Sequence, residues 1–380
     1  MKHILSVILI ISLILSLCAC AKDEKKGGLG NGWQPLSSME PELADQFSVD
    51  YYQDGYKLIT LADGSRFLVV PEGLEVPSGI DKDIAVLKQP VKNIYLAATA
   101  SMCLFDALDS LDAIAFSGTR EDGWYIENAQ KAMAEGSIIY AGKYSEPDYE
   151  LLLSKECPLA VESLMIGHAS DVKAKLEELG ITVLVDQSSN EGHPLGRSEW
   201  IKLYGAILDK EELAKEIFDE QMAYLRETEI LESTGKSVAF FYISTSGNAV
   251  VRKSGDYVSK MIELAGGRYI FDDIGDSSSA TATVNMEMES FFAAAKDADY
   301  IIYNSTIGGE VKDLDALLKK SSLLSEFKAV QNGNVWCTNK NMYQETTGLG
   351  EMIKSFRMIF TGEADDMTEL PYLYRLRPAE

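Results

Sequence analysis

The chain is 380 residues long and carries 59 acidic side chains against 35 basic ones, a formal net charge of −24. That length accommodates two ordinary domains with sizeable cores, and that charge repels phosphate backbones and anionic headgroups, which argues against a nucleic-acid or membrane-surface binder. The acid is spread along the chain rather than gathered in a tail, so it reads as a soluble, self-repelling surface.

Met1-Lys2-His3 carries positive charge, Ile4 to Leu17 is almost wholly apolar, and Leu17-Cys18-Ala19-Cys20 closes the run. A helix of about fourteen residues reaches only ~21 Å, short of the ~30 Å hydrocarbon core. A charged start, a short apolar stretch and a small-residue cleavage site make a secretory signal peptide. The L-C-A-C segment resembles the bacterial lipobox, although Cys18 stands where Ala or Ser is usual. The resemblance implies cleavage before Cys20, lipid on its sulfur, and an extracytoplasmic protein anchored to the cell membrane. An ordinary secreted protein is the alternative. The cysteines beyond Cys20 are Cys103, Cys157 and Cys337. They are odd in number, far apart and without a C-x-x-C, so no disulfide framework is expected.

Residues 21–45 open with AKDEKKGGLGNGWQ and are expected to be a flexible spacer. From Ser48 to Val70 aromatic and polar residues alternate around Asp54-Gly55 and Asp63-Gly64, which predicts short strands joined by hairpin turns. From Val91 the rhythm becomes strand-then-helix. Asn93–Ala98, Ala113–Phe116, Ser137–Tyr140, Leu159–Glu162 and Thr182–Val185 are strand-like runs. Thr99 leads into an amphipathic stretch through Leu111, and Asp171–Leu179 has helical spacing stopped by Gly180.

The second half repeats the pattern. Strands are predicted over Lys236–Ile243, Tyr300–Tyr303 and Asn334–Cys337, and helices over Tyr257–Ala265, Met288–Ala295, Leu314–Lys319 and about Gly350–Phe360. Alternation of this kind implies mainly parallel sheets covered by helices. Between the halves, Asp209 followed by Glu212 gives a capping-box-like start. Leu213, Ile217, Phe218, Met222 and Leu225 then keep one apolar face as far as Gly235. Roughly 24 residues of helix span about 36 Å. The expected architecture is α/β: two Rossmann-like lobes, 46–208 and 235–370, joined by one long helix within 209–234. A crossover helix inside one large sheet is the alternative.

The segment Leu176–Glu216, LEELGITVLVDQSSNEGHPLGRSEWIKLYGAILDKEELAKE, carries a strand, a loop, E-W-I-K-L-Y-G-A-I-L and a Glu/Lys-rich helix. Pro147-Asp148-Tyr149-Glu150-Leu151-Leu152 precedes Cys157-Pro158-Leu159-Ala160-Val161. In this order, from about Val91 to Phe360, the chain resembles the substrate-binding lipoproteins of ABC importers, in the helical-linker class that captures iron–siderophores, haem and vitamin B12. Pro158-Leu159 departs from the usual Pro-Asp.

The resemblance implies a ligand held between the lobes, and in open parallel sheets ligands do bind beyond the carboxyl ends of the strands. Helix N-termini there suit anionic groups. Strand ends in the first half offer Thr99, Ser101 and Met102, then Arg120 with Trp124 and Tyr125, then Lys143 and Tyr144. Met165 with His168 follows, and the loop Gln187–Arg197 adds His193. The second half offers Tyr242, Arg252, Lys253, Asn304, Trp336 and Tyr343. Arg120 and Lys143 have an alternative reading as solvated charges, and Trp124 and Tyr125 as caps on a core. By resemblance Glu150 and Glu289 dock on the permease, one from each lobe; the alternative is favourable placement of an acid at a helix start.

Two histidines in the mature chain are too few for a multi-His site, so no protein-bound metal ion is expected. His168, His193, Met102 or Met165 could serve as an axial ligand to haem iron. No G-x-S-x-G, H-E-x-x-H or G-x-x-x-x-G-K-[ST] occurs, which argues against an enzyme. The expectation is a monomeric, lipid-anchored receptor without a cofactor of its own, whose ligand carries iron or cobalt. Its partners are an ABC permease dimer with its ATPase, and no nucleic acid. A lipid-anchored hydrolase and a protein-interaction lipoprotein without a ligand are the alternatives. A long helix resists hinge bending, so lobe closure is expected to be modest.

Overall fold

The computed structural model describes residues 29–30, 32–229, 232–275 and 282–379. The expected signal peptide (1–20) with Cys20, and the start of the expected spacer, lie outside the described residues. The first ordered unit is a five-stranded sheet of β1 (Ser37–Met39), β2 (Phe47–Tyr51), β3 (Lys57–Leu61), β4 (Arg66–Val70) and β5 (Ile84–Lys88), in that order. Its pairs are antiparallel except the parallel β4–β5. The β3–β4 turn closes as Asp63-Gly64 predicts: Gly64 takes φ +88°, which a side chain resists, and the Asp63 carboxylate accepts the Ser65 N–H at 2.9 Å. Both faces of this sheet are covered. Val49, Ile59, Phe67 and Val69 pack on the main core, and Leu58, Leu68 and Val70 pack with Leu29, Tyr52 and Tyr56.

Residues 37–45, expected within the spacer, therefore belong to the folded body. The strand β1 is short and nearly exposed, so it has no apolar alternation by which its sequence could announce it.

The next lobe holds β6 (Ile94–Leu96), β7 (Ile114–Ser117), β8 (Ile139–Tyr140), a small hairpin of β9 (Gly142–Lys143) and β10 (Glu146–Pro147), then β11 (Leu159–Ser163) and β12 (Thr182–Asp186). Its main sheet runs β12-β11-β6-β7-β8 with every pair parallel. Helices Met102–Ala107, Tyr149–Ser154 and Ser170–Glu178 cover it. Glu162 on β11 is fully buried, and neither carboxylate oxygen has a hydrogen-bond partner. Burial pushes its pKa up to about 8.

The second lobe contains β13 (Ser237–Ile243), β14 (Ala249–Arg252), β15 (Arg268–Tyr269), β16 (Thr283–Met286), β17 (Tyr300–Tyr303), β18 (Val335–Thr338), β19 (Glu369–Leu370) and β20 (Leu373–Arg375). Its sheet runs β16-β14-β13-β17-β18-β20-β19, with β15 beside β13. The centre β13-β17-β18 is parallel and both margins are antiparallel. The sequence reading found the parallel centre and passed over β14 and β16.

Two helices pack back to back before the second lobe begins. Pro194–Leu208 ends at Asp209, whose left-handed backbone (φ 61°) forms the C-cap, and Glu211–Glu229 follows. Asp209 thus ends one helix rather than starting the next; Asp tolerates both roles, and its type alone does not choose between them. The joining helix has 19 residues, roughly 28 Å. An added Cβ at Gly205 would lie 2.8 Å from the Ala214 Cβ, so the two helices touch there. The Glu211–Glu229 helix also packs against Leu349–Thr361 of the second lobe. There the Gln221 side chain accepts the Gly350 N–H at 3.0 Å and caps that helix.

Candidate functional site

Between the lobes lies a cavity of about 1030 Å³, at the upper end of the range for small-molecule sites. Its walls are the segments that follow strand ends. After β6 comes Ala100, after β11 Leu164 and Met165, and after β12 the stretch Ser189 to Gly192 with Arg197. Across from them, Arg252 ends β14, with Lys253, Asp256, Tyr257 and Lys260 behind it. Ile307 follows β17, and Met342 and Tyr343 follow β18. The helix Tyr257–Leu264 starts at the cavity, where Asp256 caps it, and Arg197 on the first turn of Pro194–Leu208 reaches the lining.

The charge here opposes that of the chain. Arg197, Arg252, Lys253 and Lys260 meet only two carboxylates in the lining, Glu191 and Asp256. Arg252 is 8% exposed and donates to the Tyr343 hydroxyl and to Asp256 Oδ2 at 3.4 Å. Burial works against its charge, but Tyr343, Asp256 and Tyr257 outweigh that and hold its pKa above the ordinary value. Asp256 Oδ1 accepts the Val258 N–H at 2.9 Å as N-cap; burial pushes its pKa up, with Arg252 pulling against the rise. The Tyr343 hydroxyl also takes an N–H from Asn304 at 2.8 Å.

The lobes touch on both flanks and on the floor. The Arg197 guanidinium lies 4.0 Å from the centre of the Tyr257 ring, and Lys260 donates to Gly192 O at 2.6 Å. On the other flank the Gln344 amide pairs with Gly123 O and Tyr125 N, each at 2.8 Å. Ser198 Oγ donates to Thr346 O at 2.6 Å, and Thr346 Oγ1 to Ala100 O at 3.1 Å. Leu164, Met165 and Ile307 leave exposed apolar surface at the walls. Among the described residues, no three His, Cys, Asp or Glu side chains converge as a metal ion requires.

Of the candidate ligand contacts expected from sequence, Met165, Arg252, Lys253 and Tyr343 line this cavity. Ser101 is buried and donates to Asp186 at 2.7 Å. Met102 is in the core, and Trp124 is buried with its indole N–H on Ser117 at 3.1 Å. Trp336 is buried with the Arg375 guanidinium over its ring. Met102, Trp124 and Trp336 face inward because a large side chain beside a strand end gains more from packing than from solvent. Thr99 is exposed next to the lining residue Ala100. Arg120 stacks on Tyr140, and Lys143 is exposed beside Glu146. Tyr144 packs on the outer layer of its lobe. Tyr125 borders a separate polar hollow with Asn339 and Lys340, and Tyr242 packs at Gly308. His168 is exposed, and His193 caps its helix by accepting the Leu195 N–H at 3.1 Å. None of these lines the cavity.

Sequence reading did not single out Arg197, Tyr257 or Lys260. The usable signals were positional: Arg197 sits one turn into a helix begun by His193-Pro194, and Tyr257 and Lys260 fall on the first turn after the Asp256 cap.

A family model described as "Periplasmic binding protein" matches residues 105–341. An uncharacterized lipoprotein of Methanocaldococcus jannaschii is 29% identical over 305 residues, spanning 76% of this chain and 70% of the relative. The fold is shared with the periplasmic haem-binding protein HutB of Vibrio cholerae (TM-score 0.56, 18% identity, 70% of this chain and 98% of that one). It is shared also with a protein of an ABC-type Fe3+-hydroxamate transport system from Saccharomonospora viridis (TM-score 0.53, 17% identity, 71% and 93%).

Proposed function

The chain belongs to the periplasmic binding protein family, and on that premise we propose that it is the extracytoplasmic receptor of an ABC importer, taking an anionic metal chelate or haem between its lobes. The observation that carries this is the basic cluster of Arg197, Arg252, Lys253 and Lys260 in a chain of net charge −24. A bare cation is repelled by such a lining. A ferric catecholate or carboxylate chelate, or haem with its propionates, gains charge-assisted hydrogen bonds from it, and the apolar walls at Leu164, Met165 and Ile307 suit a chelate's organic body. A corrinoid offers these cations less.

The lipobox-like segment supports tethering through Cys20, and proteins of this family bind rather than transform their solutes. Glu150 and Glu289 are each exposed on the first turn of a helix, one per lobe; in this reading they orient the loaded protein on permease arginines, where exposed ion pairs set specificity more than affinity. Contacts along both flanks, together with the joining helix, favour modest lobe movement.

The test is a tryptophan-fluorescence titration with ferric hydroxamate, ferric catecholate, haemin and cobalamin. Trp200 reports on the cavity because its indole N–H bonds Glu191 in the lining at 2.7 Å. Saturable quenching by an anionic chelate or haemin, weakening as salt rises, is the expected result. Silence from every member of the panel, or a response to cobalamin alone, overturns the reading.

A further inference from the structure

The five-stranded sheet of residues 37–88 precedes the family match at 105–341, yet its β1–β2 connection reaches the wall of the cavity. Five consecutive backbone N–H groups, those of residues 42–46, are received by two buried carboxylates. Glu199 accepts from Glu42 at 2.7 Å and from Leu43 and Ala44 at 2.8 Å each. Glu191 accepts from Asp45 at 2.9 Å and from Gln46 at 3.3 Å, and also takes the Trp200 indole N–H. An added Cβ at Gly196 would stand 3.2 Å from both Leu43 O and Glu191 Oε2, so the segment lies directly against the start of the Pro194–Leu208 helix.

The two carboxylates are not equivalent. Glu199 sits inside the helix, fully buried, with Lys202 at 2.7 Å. Glu191 is part of the short stretch Ser189 to Gly192 that walls the ligand cavity. On its inner side this stretch meets the second lobe through Lys260 on Gly192 O. On its outer side it is held by the Glu191 carboxylate on residues 45 and 46.

We infer that Glu191 is a positioning residue: through it, the β1–β2 connection of the accessory sheet fixes the cavity wall 189–192 and so tunes ligand affinity. The affinity consequence rests on the chelate-receptor reading above; the fixing of the wall does not.

The experiment compares the purified protein with its Glu191→Gln, Glu191→Asp and Glu199→Gln variants by amide hydrogen exchange and by haemin and ferric-catecholate titration. A glutamine turns an amide N–H₂ toward backbone donors, whereas an aspartate keeps the charge on a shorter arm. The expected result is faster exchange across 188–193 in Glu191→Gln with affinity weakened about tenfold, and a smaller change in Glu191→Asp. Glu199→Gln is expected to speed exchange at 42–44 and leave 188–193 as in the parent. Unchanged protection of 188–193 in both Glu191 variants overturns the inference, as does an equal effect from Glu199→Gln, which would mark a general loss of packing. If no probe binds the parent protein, the chelate reading fails, and exchange still decides the role of Glu191.

Discussion

Glu162 gives the sharpest quantitative prediction. Its carboxyl is buried on β11 near Tyr95 and Tyr149, with no hydrogen-bond partner for either oxygen, and burial lifts its pKa from the ordinary 4.5 to about 8. Between those two values the folded chain holds a proton that the unfolded chain has released. Stability therefore falls as pH rises through this window and levels off above about 8. At about 1.4 kcal/mol per pH unit, the loss reaches about 3 kcal/mol by pH 7 and about 5 kcal/mol by pH 9, a large part of the ~5–15 kcal/mol that holds a domain together. Glu162→Gln keeps the shape and removes the titration. Urea unfolding of parent and variant at pH 5, 7 and 9 reads the difference directly, because the other titrating groups are common to both and cancel. The variant is expected to gain on the parent by under about 1 kcal/mol at pH 5 and by about 3 and 5 kcal/mol at pH 7 and 9. A gap that stays constant across this range would refute the reasoning.

Arg252→Gln keeps reach toward Tyr343 but leaves Asp256 buried without its cation. A loss of about 3 kcal/mol in urea unfolding is expected, along with weakening of at least tenfold in titration of an anionic chelate. Gly350→Ala should lower stability by about 1–3 kcal/mol, read by thermal denaturation, because its Cβ would fall 2.4 Å from the Gln221 carbonyl oxygen on the joining helix. Glu150→Lys and Glu289→Lys should leave ligand affinity unchanged while abolishing stimulation of the permease ATPase in proteoliposomes; loss of ligand affinity instead would count against a docking role.

The local pattern of this chain was legible because each element is short and its apolar spacing is clean. Tyr300–Tyr303 and Met288–Ala295 fall where their runs place them, and the buried positions Phe218, Met222 and Leu225 of the joining helix follow from spacing alone. Where type and context conflict, the pattern misleads. Asp209 reads equally well as a helix start and as a left-handed helix end, and the polar β1 carries no alternation. Trp124 and Trp336 show the same ambiguity at the site: an aromatic after a strand suits a ligand or a core equally, and here the core claims both.

The sequence by itself determined the alternation of strands and helices and the helix between the lobes. Those are properties of neighbours along the chain, governed by backbone period and turn chemistry. Only the tertiary structure decided which cations share one cavity, which carboxylate is stranded in an apolar layer, and that residues 42–46 lie against the helix bearing Glu199. Arg197 and Tyr257 meet across the lobes, and Glu191 meets Gln46 across more than a hundred residues of chain. Contacts of that kind arise from the packing of separate elements, and no local periodicity records them.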